Sequence, residues 1–314
     1  MLNGKTLSPD ILTSKELYRS VAAQLPVFFR PWWIEAVHQG HWDLALLRRQ
    51  DEVLAVWPYT IERKALFTIV RNPLLTPYFG PLWLGPGAPE AGWAEQLRQQ
   101  LPKADFLQWS TLPGTQPSLP PGVHRIEHRR KRTFYIDLQQ ATETIWSNIH
   151  PKRKNDIRKA QEELQLSTGF MDIAEFTRWH SASFSGKGKK YPYTAAFLQN
   201  LVEAAAGNHA SRAHTAKDRQ GRIIAQVWTV YDHDTMYYLL SAAPEQAHRG
   251  AIALLIWEAL QEARAMGLQR FDFEGSMDEG IAFYFRRFGG REIAYDDYSM
   301  TNSALWKLKQ KIMG

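Results

Sequence analysis

The chain has 314 residues, of which 44% are hydrophobic, and it carries a net charge of +6. Because this length exceeds that of one ordinary domain, we predict two domains. The absence of cysteine excludes disulfides, a thiol nucleophile and Cys-ligated zinc or iron–sulfur centres. The sequence has no apolar run of about 18 residues and no signal-peptide layout in residues 1–10, so we expect a soluble, cytoplasmic protein that is at most peripheral to the inner face of the membrane.

The first half of the sequence predicts an α+β unit, which we assign to an N-terminal domain of residues 1–132. Two apolar runs on either side of the polar turn at residues 49–52 indicate a β-hairpin. The loop of residues 72–87 is rich in Pro, Gly and aromatic residues, so we expect it to be packed and to line a pocket. The remaining predicted elements of this half are helices over 14–24, from residue 31 and over 91–101, and strands over 66–71 and 106–110.

The second half, residues 133–314, is assigned to a C-terminal domain that carries the main motifs. Its first predicted elements are a strand (133–138), helices (142–149 and 152–163), a strand (166–170) and helices (173–185 and 194–206). A three-stranded meander (210–217, 223–231 and 236–243) and a helix (246–266) follow. The loop of residues 186–193 holds three lysines, and its composition predicts a mobile lid. The similar length of the halves is compatible with a diverged duplication.

The stretch of residues 271–290 combines charged groups with two kinds of periodicity. Phe271 and Phe273 alternate with Asp272 and Glu274, which predicts a strand. Ile281, Phe285 and Phe288 then recur at helical spacing, up to the stop signal Gly289-Gly290. We therefore expect the strand to deliver two carboxylates to the edge of a sheet and the helix to carry Arg286 past that same edge. A last strand is predicted over 292–298.

The positive charge is concentrated in one segment. Residues 125–159 contain ten Lys/Arg and four acids, which accounts for the whole net charge. Such a patch would attract phosphates, a nucleotide-linked sugar, RNA or an anionic lipid head group. The alternative is a solvated helix face next to a basic strand end.

Five segments carry a resemblance to a known family. They are FFRPWWIEAV (28–37), TFYIDL (133–138), HPKRKNDIRKA (150–160), FDFEG (271–275) and FYFRRFGG (283–290). Together they resemble the FemAB-like peptidyl transferases of the GNAT superfamily, the acyl-CoA N-acyltransferases. The resemblance implies an α+β fold with a mixed sheet and two tandem GNAT-like domains. It also implies transfer of an acyl or aminoacyl group to an amine, which is a small molecule or a cell-envelope precursor. The co-substrate would be an acyl-CoA such as acetyl-CoA, or an aminoacyl-tRNA, and no cofactor would be tightly bound.

Several site residues follow from this resemblance. The basic position of the family's F-K-x-x-F-G pattern falls on Arg286, which could stabilise an oxyanion or hold a phosphate but could not act as a base. The family's arginine-bearing helix falls, by segment, on Lys152, Arg153 and Arg158. We add Trp33 and Tyr284 as candidate substrate-binding residues. The lysine that the family often has about one turn after the tryptophan is absent from residues 36–38, which argues against a cell-wall precursor.

The donor site of GNAT enzymes is a glycine-containing loop at a helix N-terminus, where backbone N–H groups hold the pyrophosphate of CoA. Residues 246–252 match that pattern in part, since Ala247 and Ile252 occupy two of its defined positions. We take His248, Arg249, Gly250 and Ala251 as the candidate donor-binding residues. The alternative is that Gly250 only allows close packing of a core helix.

Amine attack on a thioester or ester needs removal of a proton and stabilisation of an oxyanion. Glu274 and Asp272 are the first candidates for the base, followed by His248 and Tyr284, although an acid at a strand end also serves as a helix cap or ion-pair partner. The histidines lack metal-site spacing, so no metal is predicted.

Two hypotheses remain open at this stage. The first is a transferase with its acceptor in a groove between the domains. The second is a catalytically silent binding protein for an anionic glycan precursor or RNA. Within the first, a tRNA donor predicts a broad basic surface, whereas a CoA donor predicts a narrow site at residues 249–251.

Overall fold

The computed structural model describes residues 13–38, 40–115, 126–169 and 171–313. Within these residues, twelve strands form one continuous mixed sheet with helices on both faces. Residues 1–12, most of the predicted turn at 113–122 and the last residue of the predicted strand 166–170 lie outside the described residues. The predicted α+β class is confirmed.

The N-terminal half contains the predicted hairpin, helices and strands. Its elements are α1 (Ser14–Ser20), α2 (Pro31–Val37), β1 (His41–Arg49), β2 (Glu52–Lys64), β3 (Phe67–Val70), β4 (Leu82–Trp83), α3 (Trp93–Gln100) and β5 (Phe106–Ser110). Strands β1 and β2 pair antiparallel, and β3 and β5 pair in parallel. Beyond that parallel pair, the loop of residues 72–87 fills the gap, because Phe79 bridges to Ser110 and buried Tyr78 lies beside it.

The C-terminal half follows the predicted order. Its elements are β6 (Ile126–Asp137), α4 (Thr142–Asn148), α5 (Pro151–Glu163), β7 (Gln165–Thr168), α6 (Ile173–Ser185), α7 (Ala195–Gly207), β8 (Ser211–Lys217), β9 (Ile223–Tyr231), β10 (Thr235–Ala242), α8 (Ala251–Ala265), β11 (Arg270–Asp272), α9 (Glu279–Arg286), β12 (Arg291–Thr301) and α10 (Ala304–Met313).

Two predicted details of this half are wrong. Helix α8 begins at Ala251 rather than at residue 246, because Ala247 N–H donates to Pro244 O (3.0 Å) and closes a turn before the helix. Ile281 is not part of the buried stripe of α9 and exposes 36% of its surface. Ala282 is buried in its place, together with Phe285 and Phe288.

The last strand of the chain joins the two halves. The C-terminal strand β12 lies between β5 and β6, and β6 in turn lies between β12 and β11. Each half has a parallel pair, β3 with β5 and β10 with β11, and the antiparallel strands β12 and β6 lie between the two pairs. The predicted boundary between residues 132 and 133 falls inside β6 and stays a prediction.

The core continues across both halves. Phe28 packs edge-to-face on Tyr237, with 4.8 Å between ring centroids, and Val27 N–H donates to buried Asp232 at 3.1 Å. On the opposite face of the sheet, α5, α8 and α9 cover Phe134, Phe271 and Phe273. Consecutive residues of β11 thus point to different layers of the protein.

Candidate active site

The parallel strands β10 and β11 separate at their carboxyl ends. Their pairing covers only Thr235–Tyr237 of β10, and a bulge between Tyr238 and Leu240 follows. A cavity of about 480 Å³ lies at this opening, between Ser241 of β10, Ser276 after β11 and the end of α6. Ligands of α/β sheets bind outside the carboxyl ends of parallel strands, so this opening is the candidate active site.

Asp272, the last residue of β11, is fully buried behind the opening. Its carboxylate accepts hydrogen bonds from the Tyr78 hydroxyl (3.0 Å), from the Thr133 hydroxyl and from the backbone N–H of Glu274 (2.8 Å). Burial outweighs these hydrogen bonds and raises the pKa of Asp272 to about 7. The group therefore gains and loses a proton near neutral pH.

Glu274 lies two residues further, where the chain leaves the strand. Its φ of 56° is in the left-handed region, which costs energy for a residue with a side chain. Gly275 follows with φ 68°, at a position where a Cβ would lie 1.9 Å from the Arg132 backbone oxygen, so this turn requires glycine. The strained backbone directs the Glu274 side chain toward the same layer as Asp272.

The Glu274 carboxylate is only partly satisfied. Its Oε1 atom is buried and has no hydrogen-bond partner among the described residues. Burial, and then the charge of Asp272, raise the pKa of Glu274 well above its ordinary value. Since like charges disfavour double ionisation, the charge of Asp272 disfavours ionisation of Glu274. An unpaired buried acid is costly, and such groups cluster at functional sites.

An aromatic cluster covers the acids on the side of α6 and α7. His180 of α6 lies 5.5 Å from Tyr191 and 6.0 Å from Tyr193, measured between ring centroids. Burial lowers the pKa of His180 to about 4, so the ring is neutral at pH 7. Burial, followed by the charge of Glu274, raises the pKa of Tyr193 to about 12, which places that hydroxyl near the acid pair.

The lysine-rich loop that was predicted as a lid lies over this cavity. Lys187 and Lys189 line the cavity together with Ser183 and Asp278. Asp278 already caps α9, since it accepts hydrogen bonds from the N–H groups of Gly280 (2.9 Å) and Ile281 (3.2 Å). The loop thus brings two cations to the mouth of the opening.

The predicted donor-binding residues lie at the N-terminus of α8. Gly250 is buried against α5, and a Cβ there would lie 2.1 Å from the Asp156 backbone oxygen. Its N–H donates to His248 Nδ1 at 3.1 Å, and Ala251 N–H donates to His248 O at 2.9 Å. Arg249 is exposed. Close packing therefore explains why residue 250 is glycine. Some of the backbone N–H groups that a pyrophosphate would need already donate hydrogen bonds within the turn.

His248 also lines an open cleft of about 1100 Å³ between α5, α6 and the turn between β8 and β9. Two of the three arginines that line it, Arg178 and Arg222, are paired with acids, and Arg219 is the third. His248 lies 3.5 Å from Glu163, Arg222 lies 2.7 Å from Asp218, and Arg178 pairs with Glu175. This cleft has room for a nucleotide but offers few free charges.

The three cationic substrate-binding candidates lie on α5 and differ in their surroundings. The Arg153 guanidinium lies 4.1 Å from the centroid of the Tyr284 ring and 3.3 Å from Asp156, so these two predicted residues are brought together. Lys152 and Arg158 are exposed, and Arg158 lies 5.5 Å from the Trp146 ring. Helix α5 thus presents a basic outer face.

Arg286 is not brought together with the acid pair. Its guanidinium lies 3.1 Å from Glu292, 3.5 Å from Glu279 and 5.4 Å from the centroid of the Phe134 ring. Phe134 and Thr133 are consecutive in β6 and point to opposite faces, and Thr133 binds Asp272. The sheet therefore separates Arg286 from Asp272.

Trp33 is buried in the core rather than in the opening. Its Nε1 donates to the Thr76 hydroxyl at 3.0 Å, and its ring packs on Phe28 at 5.1 Å. A role in substrate binding stays a prediction for Trp33, but its contacts are those of a core residue.

Comparison with known proteins gives the family of this site. Residues 151–295 match the sequence profile of the family described as Acetyltransferase (GNAT) domain. Over this segment the chain is similar to GNAT acetyltransferase domains. The match confirms the prediction of an acyltransferase, and the GNAT domain contains the whole of β10, β11 and α9. No curated protein matches the chain significantly.

Solved structures extend the likeness over nearly the whole chain. FemX shares 10% identity with a TM-score of 0.68, over 95% of this chain and 98% of that chain. The C-terminal domain of a putative lysylphosphatidylglycerol synthetase from Agrobacterium fabrum shares 10% identity, TM-score 0.56, over 94% and 93% of the two chains. L-PGS from Bacillus licheniformis shares 14% identity, TM-score 0.53, over 85% and 87%. At these identities the likeness shows the fold alone, which this chain shares with the three structures.

Several residues around the opening between β10 and β11 were not predicted from the sequence. Tyr78 and Thr133 hold Asp272 although they are 194 and 139 positions away, and no sequence spacing reveals such partners. His180 and Tyr193 flank the segment predicted as a lid, so their neighbourhood was indicated but their roles were not.

Proposed function

We propose that the chain transfers an acyl group from acyl-CoA to an amine acceptor, and that the reaction takes place at the opening between β10 and β11. The observation that carries the proposal is the buried Glu274 Oε1 atom, which has no hydrogen-bond partner among the described residues and lies two residues before Ser276, a residue that lines the cavity of about 480 Å³. An amine is a ligand that such a group would accept, because it supplies both a hydrogen bond and a proton.

The acid pair would act on the acceptor. Amine attack on a thioester forms the new C–N bond and an oxyanion, after which the thiolate leaves and the amine loses a proton. Glu274 has the free oxygen to receive that proton, and the charge of Asp272 helps to set the pKa of Glu274. Bases with pKa values near the working pH are the most effective, and Asp272 has a pKa of about 7.

The donor would enter from the mouth of the opening. Lys187 and Lys189 are placed to attract its phosphates, and the cleft beside His248 has room for its nucleotide. The donor-binding segment that we propose remains the start of α8, with the residues His248, Arg249, Gly250 and Ala251. The burial of Gly250 disfavours a narrow pyrophosphate site there.

An aminoacyl-tRNA is the second candidate donor. The exposed cations of α5, Lys152 and Arg158, favour it because a broad basic surface suits a nucleic acid. FemX and the lysylphosphatidylglycerol synthetase domain share this fold. A cell-envelope precursor therefore remains among the proposed acceptors, next to small-molecule amines.

The test combines donor binding with turnover. We expect acyl-CoA to raise the melting temperature and Glu274→Gln to lower kcat about 100-fold or more in a panel of amines. The control is Glu245→Gln, which changes an exposed acid in the turn before α8. If no CoA ester raises the melting temperature while charged tRNA binds with strong salt dependence, the donor is aminoacyl-tRNA. Unchanged turnover in Glu274→Gln would remove Glu274 from the mechanism.

A further inference from the structure

Three leucines beside the C-terminal helix α10 are exposed to an unusual degree. Leu66, in the turn between β2 and β3, exposes 91% of its surface, and Leu305 and Leu308 of α10 expose 67% and 57%. We name these three residues the leucine patch. Exposed clusters of large apolar side chains mark interaction surfaces more often than single exposed residues do.

The helix that carries two of these leucines is fixed to the protein by its other side. Trp306 packs edge-to-face on Phe67, with 5.0 Å between ring centroids, and also contacts Phe106. Asn302, just before the helix, donates from its backbone N–H to Asp105 O and from its side chain to Ala104 O, both at 2.9 Å. The contact with Phe67 brings the helix beside the turn of Leu66, while Leu305 and Leu308 lie one turn apart on a face left uncovered.

Positive charge surrounds the leucine patch. Residues 298–314 contain three lysines and no acid. Lys307, which stands between Leu305 and Leu308 in the sequence of α10, is exposed, and Arg63 and Lys64 are exposed just before Leu66. Among these cations, Lys64 pairs with Glu62 at 3.3 Å. An apolar surface bordered by cations is the composition of helices that lie in the interface of a membrane.

We propose that the leucine patch docks the protein on the surface of a bilayer that contains anionic lipids. The leucines would enter the boundary between head groups and acyl chains, and the lysines would lie among the lipid phosphates. No helix in the described part of the chain is long and apolar enough to cross a membrane, so the contact is at the surface. This docking is independent of the transferase chemistry and would bring the enzyme to acceptors held in a membrane.

Co-sedimentation of the full chain with vesicles tests the proposal. Vesicles of phosphatidylcholine with phosphatidylglycerol are compared with vesicles of phosphatidylcholine alone. We expect binding only to the anionic vesicles, a loss of about tenfold or more in the double variant Leu305→Ser/Leu308→Ser, and a loss of about fivefold in Lys307→Glu. The matched control is Leu166→Ser, which changes an exposed leucine of β7 outside the patch and should bind as the wild type does.

Two outcomes would overturn the proposal. One is equal binding by the wild type and the double variant when circular dichroism shows both to be folded. The other is a wild type that ignores anionic vesicles and forms a dimer by light scattering, with the double variant monomeric. That result would make the patch an interface between two copies of this chain.

Discussion

The pH dependence of stability tests the buried acid pair directly. Asp272 is fully buried, and burial raises its pKa from 3.8 to about 7. An acid with a higher pKa in the folded chain binds more protons there than in the unfolded chain, so the free energy of unfolding falls as the pH rises between the two values. The contribution of Asp272 is thus fully present below about pH 4 and lost as the pH rises through about 7.

The magnitude follows from the size of the shift. About three pKa units correspond to about 4 kcal/mol, of which roughly 3 kcal/mol is lost between pH 5 and pH 8. Asp272→Asn removes this titration and keeps an oxygen for Thr133 and for the Glu274 N–H, while its amide can donate to the Tyr78 hydroxyl. We therefore expect the variant to lose about 3 kcal/mol less than the wild type over this range.

Urea unfolding at pH 5 and at pH 8 measures this difference. Asp137→Asn, which changes an exposed acid at the end of the neighbouring strand β6, serves as the control and should follow the wild type. Equal losses of unfolding free energy in the wild type and in Asp272→Asn would refute the reasoning, since Asp272 would then be ionised in the folded chain at low pH.

Three further predictions concern the remaining site residues. Gly250→Ala should lower the free energy of unfolding, measured in urea, by about 2 kcal/mol, because its Cβ would overlap the Asp156 backbone oxygen. The control Gly207→Ala has open space around it and should leave the stability unchanged. Equal effects of the two variants would contradict the packing argument. Arg286→Ala should lower stability by less than about 1 kcal/mol, because the side chain is half exposed. It should lower kcat by less than about threefold, because Arg286 lies across the sheet from Asp272. A 100-fold loss of kcat would restore the role that the family resemblance implies. Lys187→Met/Lys189→Met should raise the KM for acyl-CoA about tenfold, and the control Lys190→Met, whose lysine does not line the cavity, should leave it unchanged. An equal rise in both variants would indicate a general charge effect.

Local patterns predicted most of the elements of this fold. Strand β5 and helix α6 have the predicted bounds, and the meander of β8, β9 and β10 follows from its polar turns. The position of β12 between β5 and β6 could not be predicted, because strand partners far apart in sequence leave no periodic signal. The contacts of Asp272 with Tyr78 and Thr133 were hidden for the same reason.

The sequence itself indicates that Arg286 lies apart from the acids. Alternation in residues 271–274 predicts that the two phenylalanines lie on one side of the chain and the two acids on the other. A helix with an apolar stripe must cover the phenylalanine face, as α9 does. Because Arg286 is on that helix, it lies on the face of the sheet opposite to the acids. Chain order alone had suggested a shared edge.

The two halves differ at the opening that follows their parallel strands. In the N-terminal half, the gap after the parallel pair β3 and β5 is filled by the half's own loop, through Phe79 and Tyr78. In the C-terminal half, the gap after β10 and β11 stays open as a cavity. Tyr78 of the filled gap donates its hydroxyl to Asp272 of the open one. The loop that closes the first opening therefore completes the acid pair of the second, which explains why a single GNAT-like half would lack part of this site.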